Sequence, residues 1–256
     1  MKKIYLFFAI LLMFSVNAIS SQSLEEFLKQ GDKFYEQFNN EKALDTYQKA
    51  DLAYPDNWQV LWRISRAYVD IAEHMPSSTS EQEDAQLEKF KLALDYANRA
   101  VKLAPNEAVT YLRRAIANGK IALFKGVFTV AGVVNQVKAD CEKALSLGNG
   151  GDDIQGIVHY VYARTHAKIS EKWKPARAVL GLGWANLETA LEYYQKAIKL
   201  KPNFMMFYFD YAKALIADDQ NDKAKEFLKK AIACKNEDED DAKLREEAKV
   251  LLKTLD

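Results

Sequence analysis

His159 and His166 stand seven residues apart, near enough in helical phase to share one face, and His74 is the only other histidine. Two imidazoles so placed could hold a metal or relay a proton. Either task needs a third ligand or a carboxylate at matched spacing, and the His-Glu-x-x-His pattern is missing. Both are therefore expected to be core or surface histidines. Gly148-Asn149-Gly150-Gly151-Asp152-Asp153 has the composition of a phosphate or calcium loop. It lacks the Gly-Lys-Ser/Thr ending of the first and the alternating ligands of the second, so it reads as a turn leading into an Asp helix cap. Glu237-Asp238-Glu239-Asp240-Asp241 reads as a solvated linker entering a last helix, where the helix dipole favours negative charge. No Gly-x-Ser-x-Gly and no catalytic carboxylate pair can be placed. The expected cofactor and metal content is none, and an enzyme built on His159 or His166 is the least favoured reading.

What positions these residues is a repeat. Ala43/Ala50/Pro55, Ala93/Ala100/Pro105 and Ala190/Ala197/Pro202 share one spacing, and Ala224/Ala231 repeats it with Asn236 in the proline place. This is the second half of the 34-residue tetratricopeptide signature. In the first repeat, counted from Leu24, Phe27, Phe34 and Tyr47 are the large knobs. Gly31, Ala43 and Ala50 are the small residues that let two helices approach, and Pro55 ends the second helix. The expected fold is all-α: a superhelical solenoid of five hairpins near residues 24–57, 58–107, 108–153, 154–204 and 205–238, with a capping helix over 240–255. The three middle repeats carry insertions. Pro76–Glu81 in repeat two is polar and reads as an exposed loop. Repeat three (Phe124 to Val134, including Phe128) and repeat four (Trp173 to Trp184) carry apolar insertions, expected to fold back as lids over the groove.

The concave face of such an array is lined by first-helix positions 2, 5, 9, 12 and 13. Position 5 gives Leu28, Trp62, Leu112, Tyr160 and Phe209; position 9 gives Asp32, Arg66, Ile116, Arg164 and Lys213. A row of large apolar side chains beside a row rich in cations suits a ligand with an apolar body and an anionic end. Two readings follow. One is a non-enzymatic scaffold presenting this groove to a peptide or partner protein. The other is a carrier of an acyl lipid or other hydrophobic molecule, with Trp62, Tyr160, Phe209 and the two apolar insertions as its pocket.

Met1-Lys2-Lys3, then the apolar run Ile4 to Phe14, then Val16-Asn17-Ala18 give the three parts of a signal peptide. Cleavage is expected after Ala18, or else after Ser21, which leaves an exported chain in a bacterial periplasm or outside the cell. An uncleaved anchor is the rival reading, but Ser15, Asn17 and Ser20 interrupt the apolar stretch. Basic and acidic residues number 36 each, and losing Lys2 and Lys3 leaves 34 against 36. That balance argues against a nucleic-acid partner. Cys141 and Cys234 fall in different repeats and are expected to be buried free thiols.

The runs Leu61-Trp62-Arg63-Ile64-Ser65-Arg66-Ala67-Tyr68, Ala72-Glu73-His74 and Ala93-Leu94-Asp95-Tyr96-Ala97 resemble the regulator of microtubule dynamics family. So do Trp173 to Leu180, Glu188 to Tyr194, and Lys201-Pro202-Asn203-Phe204. The similarity spans roughly residues 24–235 and lies more in where the insertions fall than in any single motif. It implies an expanded tetratricopeptide-like solenoid and an apolar pocket. Eukaryotic members associate with microtubules or organelle membranes, and a lipid-binding groove is known among them. Tubulin is not implied, because the basic surplus that would favour its acidic tails is absent.

Overall fold

The computed structural model describes residues 22–255, and the signal-peptide expectation lies outside them. Among the described residues the chain forms twelve helices and no strand. Five antiparallel hairpins stack in order: α1 (Leu24–Glu36) with α2 (Asn40–Ala53), α3 (Trp58–Glu73) with α4 (Ser80–Leu103), α5 (Ala108–Lys125) with α6 (Ala131–Leu147), α7 (Gly151–Ser170) with α9 (Leu187–Leu200), and α10 (Met205–Ala217) with α11 (Asn221–Ala233). The six-residue α8 (Lys174–Val179) lies in the α7–α9 connection, and α12 (Asp241–Lys253) packs on α10 and α11. First helices also touch one another along the inner side, α3 with α5 and α5 with α7.

The small residues form the seams. Ala43, Ala50, Ala93, Ala100, Ala190, Ala197, Ala224 and Ala231 have no exposed surface. Val137, Cys141 and Ala144 fill the same places in the third hairpin. The prolines act through the residue before them. Tyr54, Ala104 and Lys201 share φ near −133° and ψ of 68–79°, outside the helical region that Pro55, Pro105 and Pro202 sterically deny them. Ser23 opens the stack with a capping box, exchanging bonds with Glu26 in both directions.

The insertions behave differently from one another. In repeat two the polar loop ends at Thr79, which caps α4, and the remaining extra residues lengthen that helix to 24 residues. The insertions of repeats three and four pack on each other. Leu182, Ala185 and half-buried Trp184 join Val127, Val130 and Val134 in one apolar cluster, and Trp184 Nε1 donates to Asn135 Oδ1 at 2.8 Å. They fold back onto each other and onto Ala122 and Ile169, two residues that also border the interior cavity. The loop at residues 148–153 is a turn, yet its cap is Gly150, left-handed at φ 89°, while Asp152 and Asp153 stand exposed in the first turn of α7. Cys141 is a buried free thiol, as expected, whereas Cys234 is free but only half-buried, because it ends α11 at the surface.

Gly31 shows how tight a seam is. A Cβ placed there would lie 2.7 Å from Cδ1 and 2.8 Å from Cζ of Tyr47, a fully buried ring whose hydroxyl donates to Asp32 Oδ1 at 2.6 Å. Gly31→Ala is expected to cost about 1–3 kcal/mol in chemical denaturation. Gly119→Ala, where an added Cβ meets nothing within 4 Å in mid-helix, is expected to stabilise by about 0.5–1 kcal/mol.

Candidate functional site

The superhelix surrounds a half-open cavity of about 830 Å³. Its wall is the inner face of α3, α5, α7 and α10, and its apolar part includes Val69, Ile116, Val161, Ile169, Met206 and Phe209. The segment from Asn236 to Glu247 lines one side of the cavity and reaches from the last hairpin to the first. Asn40 Nδ2 donates to Glu239 Oε2 at 3.0 Å, across 199 residues of chain. His74 adds Nδ1 to Glu239 at 3.6 Å and Nε2 to Asp240 at 3.5 Å. The acidic run is therefore a latch, which corrects the solvated-linker expectation. Asp241 holds its shape, accepting from the backbone N–H groups of Glu237 (2.8 Å) and Asp238 (2.9 Å). Arg245 fixes its base, donating to the carbonyls of Ile232 and Cys234.

Two polar poles interrupt the apolar wall. At the first, Arg66 lies flat on Tyr35, its guanidinium carbon 3.4 Å from the ring centroid, and donates to Asp32 and Tyr47 at 3.2 Å. Arg113 enters beside it, 5.4 Å above the Trp62 ring, and forms no hydrogen bond or ion pair among the described residues. Burial, followed by repulsion from Arg66, pulls the Arg113 pKa down to about 10. Asp70 faces the same space with Oδ2 unpartnered, and burial pushes its carboxyl up to about 6 against the pull of the two arginines. At the second pole Tyr160 donates to Asp210 at 2.8 Å. Arg164 Nη1 donates to the Tyr160 hydroxyl at 3.0 Å, and Lys213 pairs with Asp210 at 3.1 Å. Burial works against ionisation of Asp210, but Arg164 and Lys213 outweigh it and hold its pKa below the usual value. At the second pole both cations pair with Asp210, whereas the first keeps a cation without an ion pair among the described residues.

Of the residues read from sequence, Arg66, Ile116, Tyr160, Arg164, Phe209 and Lys213 line the cavity. Leu112 does not. It is wholly buried between Ala108, Ala144 and Val158, because its turn of α5 points into the seam with the next hairpin. Trp62 backs the first pole from outside, beneath Arg63, Arg66 and Arg113. Phe128, Trp173 and Trp184 are no lid. Trp184 is spent on the insertion cluster, and Trp173 is 73% exposed. Repeat three contributes to the wall only Val127 and Val134 of its insertion. The two histidines of α7 pack against different aromatic rings. His166 is buried against Trp184 and Tyr162 and lowered to about 4 by burial, while His159 rests on Tyr193. Two members of the first pole were missed in the sequence. Asp70 occupies position 13 of repeat two, one of the inner positions. Arg113 occupies position 6 of repeat three, four residues after position 2 and three before position 9, so the same stripe pointed to it.

Stacked hairpins around a central cavity define a tetratricopeptide-type binding scaffold. The chain belongs to the regulator of microtubule dynamics family: the family described as Regulator of microtubule dynamics protein 1-3 matches residues 27–256. It is 30% identical over 198 residues to Regulator of microtubule dynamics protein 1 of Mus musculus, covering 72% of this chain and 59% of the relative. The Bos taurus protein of the same name is 30% identical over 196 residues, covering 71% and 56%. The chain thus spans less than two thirds of the length of these relatives. Among solved structures, a thermophilic TPR protein of Thermus thermophilus superposes with a TM-score of 0.60 at 15% identity, covering 91% of this chain and 98% of that one. PilW, a type IV pilus biogenesis factor, gives 0.56 at 13%, covering 92% and 94%. Both likenesses concern the fold alone.

Two measurements probe this electrostatics. An acid raised from 3.8 to about 6 takes up its proton first in the folded state, so stability falls as pH rises across that interval and stays reduced above it. Asp70→Asn is expected to unfold with wild type at pH 4 but to exceed it at pH 7 by about 1–3 kcal/mol, read by denaturant titration. Burial alone would lower His74, but its bond to the Asp70 carbonyl and the charges of Glu239 and Asp240 raise its pKa above 6.5. A raised imidazole favours the closed latch below 6.5 and loses that contribution as pH climbs through its folded value. Hydrogen exchange at residues 236–241, corrected for intrinsic rate, is expected to increase across neutrality in wild type, and His74→Gln should abolish the step.

Proposed function

We propose that this chain is a non-enzymatic binding protein that takes one amphiphilic molecule into its superhelix, an apolar body ending in an anionic group, of the acyl-lipid class. The observation that carries this reading is Arg113, a cation with no hydrogen-bond or ion-pair partner among the described residues, set at one pole of a cavity whose wall between the poles is apolar. An unpaired guanidinium in such a place is costly unless a ligand completes it, and a carboxylate or phosphate oxygen does so with charge-assisted bonds. The volume is in the range of pockets that hold a small organic ligand, and the segment from Asn236 to Glu247 walls one side of it. The second reading keeps the scaffold and changes the guest. A short peptide ending in a carboxylate would meet Arg113 in the same way, and the tetratricopeptide fold itself supports a protein or peptide partner.

We also propose that the protein works outside the cytoplasm, after cleavage at Ala18. The Lys2-Lys3 start and the Ile4–Phe14 apolar run support this reading.

Native mass spectrometry of protein recovered from its own compartment, followed by organic extraction, tests both parts. A mass beginning at Ile19 with one extractable anionic amphiphile per chain is the expected result. A clean mass, or a peptide adduct, would sink the lipid reading, and an intact Met1 would sink export. Arg113→Ala should lower occupancy about ten- to a hundredfold, the worth of one charged hydrogen-bond anchor.

A further inference from the structure

The paired insertions leave unexplained what their outer surface is for. Ten large apolar side chains are exposed among the described residues, and five of them (Leu123, Phe128, Trp173, Val179 and Leu180) belong to the end of α5 and the two apolar insertions. Trp173 is 73% exposed and Val179 87%, which is the opposite of what a lid would show. The two segments are one lobe, welded by the cluster of Leu182 and Ala185 with Val127, Val130 and Val134 and by the Trp184–Asn135 bond. Inside the lobe the α8 turn is held rigidly: buried Arg177 donates to the Ala185 carbonyl at 2.7 Å. Trp173 and Val179 are therefore presented on a fixed support.

The charge around them has one sign. Between residues 121–135 and 171–186 the basic residues are Lys125, Lys172, Lys174 and Arg177, and the acidic one is Glu171, already paired with Lys168 at 2.8 Å. The chain as a whole is balanced at 36 against 36, so this is a local departure. Lys172 and Lys174 flank Trp173 directly, and all three are exposed. An exposed indole between two lysines, beside further apolar side chains, matches a water–lipid boundary: the ring settles among headgroups while the ammonium groups meet anionic lipid. No described helix is long and apolar enough to cross a membrane, so the contact would be peripheral. The lobe also adjoins the cavity, whose wall includes Leu123 and Val127.

We propose that the lobe formed by the two apolar insertions, led by Trp173 with Lys172 and Lys174, docks onto a bilayer surface carrying anionic headgroups. The contact needs no occupant in the cavity, so its success or failure is independent of the carrier reading.

Vesicle flotation tests it, using the chain from residue 22 onward, which removes the apolar N-terminal run. That stack is self-contained, opened by the Ser23 capping box and closed by α12. The expected result is flotation with phosphatidylcholine vesicles containing about 30% phosphatidylglycerol, little with phosphatidylcholine alone, and loss in about 0.5 M salt. Trp173→Ser with Val179→Ser, and separately Lys172→Glu with Lys174→Glu, should each weaken flotation about tenfold or more with the helical circular dichroism unchanged. Leu52→Ser, at an equally exposed site on α2, should float as wild type. Overturning results are equal flotation with neutral vesicles, full flotation of both double variants, or equal loss in Leu52→Ser. Failure of the wild type to float would also overturn it.

Discussion

At most of their seams adjacent helices in this molecule meet across gaps filled by alanine, and in one place the gap admits nothing larger than a hydrogen atom. At Gly31 the Tyr47 ring occupies the space a methyl would take. The same closeness at Ala43, Ala50, Ala93, Ala100 and their counterparts sets the distance between the two helices of each hairpin and from one hairpin to the next. A repeat solenoid has no single centre and is held only by neighbour-to-neighbour burial. The width of these seams therefore decides its curvature, and with it whether a cavity forms at all. Wider seams would straighten the stack and separate Arg66 and Arg113 on one side from Tyr160, Arg164 and Phe209 on the other.

The inner surface separates its charges in an uneven way. Asp210 is buried yet ionised, because Tyr160, Arg164 and Lys213 surround it. Asp32 does the same for Arg63 and Arg66 while tying α1 to α3. Those two carboxylates pair with the cations around them and serve architecture. Asp70 is different, since burial raises its pKa against the pull of both arginines and its Oδ2 has no hydrogen-bond partner. One pole is thus a paired structural network and the other keeps groups without hydrogen-bonded partners.

Sequence and fold agree where one residue type has one physical use. Alanine at fixed spacing and proline after it can hardly mean anything but close helix approach and helix termination, so the hairpins were legible from Ala43/Ala50/Pro55 onward. The inner stripe was legible in part. Position 9 holds its direction through the cations Arg66, Arg164 and Lys213, but position 5 turns into the seam at Leu112, which packs on Ala108, Ala144 and Val158. The insertions were legible as apolar and not as to destination, because a run such as Val127 to Val134 says that it must be covered without saying by what. The acidic run misled for a related reason. Five carboxylates in sequence look alike, and only the fold separates Asp241, which shapes a turn, from Glu239, which reaches Asn40.

That last contact changes the topology of the whole array. A linear stack has two free ends, and its outermost units come apart first because each is held on one side only. Joining residue 239 to residue 40 removes that boundary: both terminal hairpins acquire a second neighbour, and the line becomes a ring. Fraying from either end then requires opening the join, so the first and fifth hairpins share one fate although no covalent crosslink unites them. In the language of coupled units, an open chain of spins has become a periodic one, and the weakest place in the molecule is no longer an end but the clasp.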